Sequence, residues 1–400
     1  MEKQVRPENL FDNGAKIKVV GVGGAGGNAV ARMIDAGLSG VSFLIVNTDS
    51  QALKGVRNAE TLQIGETLTR GLGAGGDPGV GEGAAKENET AIMGELAGCD
   101  MVFITAGMGG GTGTGAAPVI ADIARRMGIL TVGVVTKPFL FEGPKRGRLA
   151  NAGAERLRNN VDTMITIPNN RLVEVVDKAT TLTNAFRAAD DVLRQGVQGI
   201  SEIITLPGMI NVDFADVRSI MSNAGVALMG LGTGTGINRA REAAEAAATS
   251  PLLETSIDGA TKLLVNITAG PDFSIGEAHE AMEFIIQHAD LEEADIIMGH
   301  VLKDLPENAV QITLLAAGMD AFRPSAPIKE SEIFYSMEAP SRMPQSPQPE
   351  PKSLPKEVVA PPVQPKSEPE QKQATFIKSN LELDEIDLDL PAFLRKQRGQ

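Results

Sequence analysis

The sequence predicts a doubly wound α/β protein: a mostly parallel sheet flanked by helices, then a long central helix, a smaller second α/β domain and a disordered tail. Three observations predict it. Short, nearly continuous apolar runs recur between residues 16 and 140, as expected of strands buried on both faces. Amphipathic helical patterns separate these runs and give a β-α-β-α-β rhythm. After about Pro324 the apolar pattern gives way to proline and polar residues.

In chain order, "IKVVGVG" (17–23), "VSFLIVNTD" (41–49), "CDMVFITAG" (99–107) and "LTVGVVTKP" (130–138) read as strands. "GNAVARMIDAG" (27–37), "GVGEGAAKENETAIMGELAG" (79–98) and "GTGAAPVIADIARRMG" (113–128) read as the helices between them. Pro118 is expected in the first turns of the last of these, where a missing N–H costs little. A further strand, "TMITIPNN" (163–170), precedes the long helical stretch 180–204, which Pro207-Gly208 stops. The second unit has a helix near 214–223 and strands near 225–231, 262–269, 295–301 and 309–317, without a regular βαβ rhythm.

Ten of the thirty residues from Pro340 to Pro369 are proline, interleaved with Gln, Ser, Lys and Glu. Such a segment buries too little apolar surface to offset its ordering entropy. "LDEIDLDLPAFLRKQRGQ" (383–400) then regains Leu, Ile and Phe, first acidic and then basic, as a docking peptide on a tether would. The expected organisation is a flexible segment 1–15, a nucleotide-binding domain 16–179, a central helix 180–206, a C-terminal domain 207–322, a disordered linker 323–380 and a docking peptide 381–400.

Composition limits the functions open to this chain. A formal net charge of −14 supplies no basic field for a nucleic-acid backbone. The one cysteine, Cys99, excludes an internal disulfide and fits a reducing compartment, where it reads as a small hydrophobe before a strand. Three histidines offer little for a His-rich metal site. No apolar run approaches the ~18 residues of a membrane span, so a cytoplasmic protein without direct membrane insertion is expected.

The chemistry lies in the glycine loops. "VVGVGGAGGNAVARM" (19–33) satisfies G-x-G-x-x-G with Gly21, Gly23 and Gly26 between a strand and a helix. Glycines there let backbone N–H groups approach phosphate oxygens, and the helix N-terminus adds favourable partial charge. A nicotinamide-binding unit would look the same, with Asp49 near the place of its ribose-binding acid. Such a dehydrogenase does not explain a second loop. "AGMGGGTGTGAAPVIADIA" (106–124) puts six glycines and two threonines into the nine positions from Gly107 to Gly115, again after a strand and before a helix. It lacks the lysine of a P-loop. A third glycine-rich segment, "RGLGAGGDPGVG" (70–81), lies between the two in sequence. Three such loops at one end of a parallel sheet would enclose a chain of phosphates with backbone donors, two helix termini and a bound Mg²⁺ replacing the lysine.

"GGGTGTG" (109–115) resembles the signature loop of the tubulin/FtsZ family of GTPases. "GGAGGN" (23–28), "NTDSQAL" (47–53), "NVDFADV" (211–217) and the tail "LDLPAFLRKQ" (388–397) also resemble motifs of that family, in the same order. The resemblance covers roughly residues 15–320 and the tail. It implies GTP, or GDP after turnover, with Mg²⁺. Gly24, Ala25, Gly26, Gly27 and Asn28 would form the first phosphate loop, with Asn28 reaching toward the base or ribose. Gly110, Gly111, Thr112, Gly113 and Thr114 would enclose the α- and β-phosphates. Asp49 and Ala74-Gly75-Gly76 would lie near the γ-phosphate and its ion. Glu142 and Arg146 match positions that contact the ribose and the neighbouring phosphate.

On the long helix, Phe186 and Asp190 are spaced i, i+4 and share a face. From spacing alone they read as a core ring and a surface acid. With the resemblance they become base-recognition residues, and Asn169 is a further candidate. A ring stacks on a purine, and a carboxylate accepts two hydrogen bonds from the N1–H and 2-amino group of guanine, a donor pair that adenine lacks.

No residue of the phosphate loops can polarise an attacking water. The candidates are Asn211, Asp213 and Asp216, just after the helix stop. Asp213 and Asp216 also suit the capped, acid-favouring start of a helix. The long helix spans roughly 30–35 Å, which keeps these residues from their own nucleotide. The resemblance implies that they act on the GTP of the next copy in a head-to-tail homopolymer, and that Leu388–Gln397 binds membrane-tethering adaptors. A tubulin-like adaptor that binds nucleotide without polymerising is the other reading, against which the intact Asn211, Asp213 and Asp216 count. "GLGTGTGINRA" (230–240) partly repeats the signature loop and is expected to be a structural strand-to-helix turn.

Overall fold

The computed structural model describes residues 14–319 apart from 176–178, 254, 290–293 and 304. The expectations for the first residues, for the linker 323–380 and for the tail peptide Leu388–Gln397 lie outside the described residues.

The first half alternates as its periodicity predicts. It runs β1 (Ile17–Val22), α1 (Gly23–Asp35), β2 (Val41–Asn47), α2 (Ser50–Leu53), β3 (Glu60–Gln63), α3 (Glu66–Thr69), α4 (Pro78–Glu87), α5 (Glu89–Leu96), β4 (Met101–Gly107), α6 (Thr112–Arg126), β5 (Leu130–Lys137), α7 (Pro144–Arg158), β6 (Thr163–Pro168) and α8 (Asn169–Val175). The central helix α9 (Leu182–Thr205) follows, then α10 (Phe214–Met221), β7 (Gly225–Gly234), α11 (Arg239–Ala248), β8 (Lys262–Ala269), α12 (Ile275–Ile286), β9 (Asp295–Leu302) and β10 (Val310–Ala317).

The ten strands among the described residues join one sheet in the order β3-β2-β1-β4-β5-β6-β7-β10-β8-β9. Only β10 runs against its neighbours, pairing antiparallel with β7 and β8. The order reverses between β1 and β4, which pair directly, with Gly21 opposite Thr105 and Val22 opposite Ala106. In an open α/β sheet such a reversal leaves a crevice beyond the strand ends.

Continuous apolarity in the strands follows from burial on both faces. Val19, Phe43, Met101 and Phe103 pack with Met33, Leu193 and Val197 of α1 and α9 on one side. Their sequence neighbours Val20, Leu44, Val102 and Ile104 meet Ile92, Ala117 and Ile120 of α5 and α6 on the other. A third cluster, around Leu263, Val265 and Ile312, lies under α11 and α12. Among the described residues no helix is long and apolar enough to cross a membrane.

Four local expectations change. The helical pattern 79–98 is two helices, because Asn88 leaves helical geometry and its Oδ1 accepts the Gly65 N–H at 2.7 Å. Pro118 sits in the second turn of α6, so it removes a hydrogen bond the helix would otherwise make. The charged helix α7 and the short edge strand β3 have too little apolar periodicity to be legible in the sequence. The 230–240 repeat is mostly strand. Gly230, Gly232 and Gly234 alternate along β7 on the face covered by alanine-rich α11, where an added Cβ would come within 1.9, 1.9 and 2.0 Å of the carbonyls of Ala247, Ala243 and Arg239. These glycines let a helix lie directly on a strand.

Candidate functional site

The glycine loops converge at the reversal point. Loop one runs from the end of β1 into α1, and the signature loop from the end of β4 into α6. They touch: a Cβ on Gly23 would lie 2.9 Å from the Gly113 nitrogen. Neither helix has a side-chain N-cap or an acid in its first turn. Other helices are capped, with Asp77 on α4, Thr181 on α9, Asp213 on α10 and a Ser274/Glu277 capping box on α12, or carry an acid in the first turn, as α3, α5 and α11 do, or open on a proline, as α7 does. Each uncapped terminus leaves N–H groups without intrahelical partners and a partial positive charge. Two such ends side by side form an anion site.

The third loop closes this site through Thr48, which the sequence reading passed over. The Thr48 and Thr112 hydroxyls share a hydrogen bond of 2.6 Å. The Thr48 carbonyl accepts from Gly73 N at 3.3 Å and from Thr69 Oγ1 at 3.2 Å. Ser50 N donates to Gly71 O at 3.0 Å, and Asp49 bridges to Leu72. Ala74 meets the signature loop directly, since a Cβ on Gly111 would stand 2.8 Å from the Ala74 Cβ. Gly109 is held at φ +98° with its N–H on Thr114 Oγ1 at 2.9 Å. Gly24, Ala25, Asn28, Gly75 and Gly76 are exposed on this rim, Gly27 and Gly110 are partly exposed, and Gly26 and Gly113 are buried beneath it.

The carboxylate of Asp49 accepts from Gln51 N at 2.9 Å and remains partly exposed. Asp77, also missed by the sequence reading, stands exposed at the start of α4 next to the third loop. Among the described residues no three His, Cys, Asp or Glu side chains cluster as metal ligands. One or two carboxylates and the Thr48 and Thr112 hydroxyls fit Mg²⁺, which takes few protein ligands and is otherwise held by phosphate and water.

A second group lies around the N-terminal half of α9. Asp190 is 9% exposed, which corrects the surface reading from spacing. Burial pushes its carboxyl up to about 6, opposed by Arg32, whose Nε donates to Asp190 Oδ2 at 3.1 Å. Phe186 is half-buried, edge-on to Phe139 with centroids 5.3 Å apart, and Phe139 stacks on Phe141 at 4.9 Å. Phe141 is 61% exposed and offers a ring at the mouth that the sequence reading missed, although "KPFLFEGPKR" contains it. Glu142 accepts from the Phe139 N–H at 2.9 Å and pairs with Arg146. Asn169, at the end of β6, is 4% exposed, and its Oδ1 has no partner among the described residues. An unsatisfied buried acceptor at a strand C-terminus is costly unless a ligand donor meets it.

Asn211, Asp213 and Asp216 are not brought to this site. The fifteen residues from Asp190 to the end of α9 span about 22 Å. Beyond them α10 packs at the opposite end of the strands, by the N-termini of β5 and β6. Arg218 of α10 bonds Gly128 O at 3.2 Å just before β5, and Met221 O accepts from Thr163 Oγ1 at 2.5 Å at the first residue of β6. Asn211, Asp213 and Asp216 are all exposed, Asp213 caps α10 by accepting from Asp216 N at 2.8 Å, and Asn211 Oδ1 accepts from Gly208 N at 2.8 Å.

A parallel sheet with two glycine-opened helices at its reversal point and a long helix leading to a second unit defines the tubulin-like class of GTPase folds. Residues 16–177 match the family model described as the Tubulin/FtsZ family GTPase domain, and residues 225–320 match that of the FtsZ family C-terminal domain. The chain is similar to an empty FtsZ dimer from M. jannaschii, with TM-score 0.74 and 44% identity over 78% of this chain and 90% of that one. It shares its fold with CetZ1 from Haloferax volcanii, a GDP-bound monomer, with TM-score 0.65 and 20% identity over 75% and 93% of the two chains. The chain belongs to the tubulin/FtsZ family of GTPases, and membership implies binding of GTP and GDP.

Proposed function

We propose that the protein is a self-assembling GTPase of bacterial cell division. Its filaments grow head to tail, and each GTP is cleaved where one copy's phosphate cage meets the next copy's Asn211, Asp213 and Asp216. The observation that carries this reading is the separation between the paired uncapped helix ends, beyond the C-termini of the strands, and these exposed acids, which follow α9 to the opposite end of the strands. A contact joining opposite ends of identical chains is heterologous, and where its rotation does not close a ring it makes a filament. The similar FtsZ structure is described as a dimer, which supports self-association.

In this reading the N-termini of α1 and α6 and the third loop hold the phosphates. Mg²⁺, when bound, neutralises phosphate charge beside Asp49 and Thr112. Glu142, Arg146 and Asn28 reach the ribose side, Phe186 covers the purine, and Asn169 and Asp190 accept its donors. The incoming Asp213 and Asp216 orient water for in-line attack on the γ-phosphorus. Phosphoryl transfer needs mainly such positioning and electrostatics. The tail peptide Leu388–Gln397 docks on membrane-tethering adaptors, which keeps the protein cytoplasmic while it is concentrated at the division site.

Turnover per subunit should rise with protein concentration above a threshold, with GTP and not with ATP. A per-subunit rate independent of concentration would overturn the shared site, and equal use of ATP would overturn the base reading.

Guanine binding should also depend on pH. GTP binds the charged form of Asp190, whose carboxyl in the folded protein is raised to about 6 by burial. Affinity is therefore complete above that value and lost as pH falls through it, by up to about tenfold per unit. Calorimetric titration with GTP between pH 5 and 7.5 checks this; a flat profile would mean that Asp190 does not accept from the base.

A further inference from the structure

Among the described residues the basic side chain that bonds Asp190 is Arg32, at 3.1 Å, and it comes from α1 rather than from the helix that carries Asp190. Arg32 lies in the last turn of the helix whose first turn is the glycine loop. The nine helical steps from Gly23 to Arg32 span about 14 Å, on the scale of a nucleotide from phosphate to base. One rigid element therefore has its positive end at the phosphate cage and its cationic side chain on the base-reading carboxylate. Four further charged side chains, Asp35, Arg187, Asp191 and Arg194, line the groove between α1 and α9 beside the pair. Asp191 pairs with Arg194 at 2.6 Å, and Asp35 lies on the outer side of α1.

A buried carboxylate without a cation tends to take up a proton, and a protonated carboxyl presents a donor where guanine also presents donors. An Arg bond to Oδ2 favours the ionised form and fixes the carboxyl plane. It occupies one of about four acceptor directions, leaving room for N1–H and the 2-amino group. We propose that Arg32 is a positioning residue for base selectivity: it holds Asp190 ionised and oriented, so that selection of guanine depends on the helix that also binds the phosphates. This rests on the reading of Asp190 as the guanine acceptor.

The test compares GTP and ATP affinity for wild type, Arg32→Gln, Arg32→Lys and Asp190→Ala, measured by calorimetry on full-length protein below its assembly threshold. Arg32→Gln is expected to lose about tenfold in GTP affinity with ATP affinity unchanged. Arg32→Lys, which keeps the charge without the planar fork, should give an intermediate ratio. Equal losses for both nucleotides would reduce Arg32 to a staple between α1 and α9 and overturn the proposal. Should Arg32→Gln unfold, Arg32→Lys decides, since a wild-type GTP/ATP ratio in that variant also overturns it. If Asp190→Ala keeps the wild-type ratio, the base reading itself fails. If Asp190→Ala loses the ratio while Arg32→Gln keeps it, only the positioning role fails.

Discussion

Asp213→Ala is expected to bind GTP and assemble but to hydrolyse it about 100-fold or more slowly, the usual scale for removing a group that orients or polarises a reacting water. Asp213 is exposed and caps α10 at the end of the strands opposite the glycine loops, so its loss does not disturb the cage. It does remove the cap on α10, which costs about 1 kcal/mol. Asp213→Asn separates these effects, because an amide oxygen still caps the helix while the negative charge is gone. Both variants should pellet with GTP like wild type and turn over slowly. Wild-type turnover in Asp213→Ala would exclude the residue from the reaction, and wild-type turnover in Asp213→Asn alone would reduce its role to capping.

Gly115→Ala should weaken nucleotide binding about 100-fold through packing alone. Its Cβ would lie 2.0 Å from the Pro78 carbonyl and 2.6 Å from the Glu82 nitrogen, both backbone atoms of α4 that cannot rotate aside. The same seam is tight from the other helix, where a Cβ on Gly81 would lie 2.5 Å from Gly111 O. Forcing α4 off α6 carries Asp77 and the third loop away from the signature loop, and so opens the cage. Overpacking of this kind costs roughly 3 kcal/mol or more. GTP affinity should fall about 100-fold, by the usual arithmetic of about 1.4 kcal/mol per decade with most of the strain relieved by opening the site. Gly94→Ala in α5 is the control, since nothing lies within 4 Å of its Cβ and helical Ala is favoured over Gly. Thermal unfolding and GTP titration of the pair check this. Equal binding by both variants would show that α4 can shift without opening the site.

Much of this was legible in the sequence because its causes are local. The strand runs declare burial on both faces, the glycine loops declare a strand-to-helix turn, and Pro207-Gly208 declares the stop of α9. Capping chemistry was readable too, since "NVDFAD" places Asp213 three residues before the amide it accepts from. Other features were hidden for equally physical reasons. Helix α7 is mostly polar and carries little periodic signal, and β3 belongs to the sheet only because β2 offers it an edge. Asp190 looked exposed because helical spacing does not reveal which face another helix covers.

The sequence by itself determined most of the elements, the three phosphate-type loops and the family, since each depends on residues within a few positions of one another. Tertiary structure alone decided that β1 and β4 are neighbours, so that two uncapped helix ends add their fields at one point. It also decided that Thr48 ties the loops together, that Arg32 meets Asp190 across 158 positions of chain, and that Gly230, Gly232 and Gly234 serve as a seat for α11 rather than a turn. These depend on which backbones approach which, and close approach is settled only when the whole sheet has chosen its order.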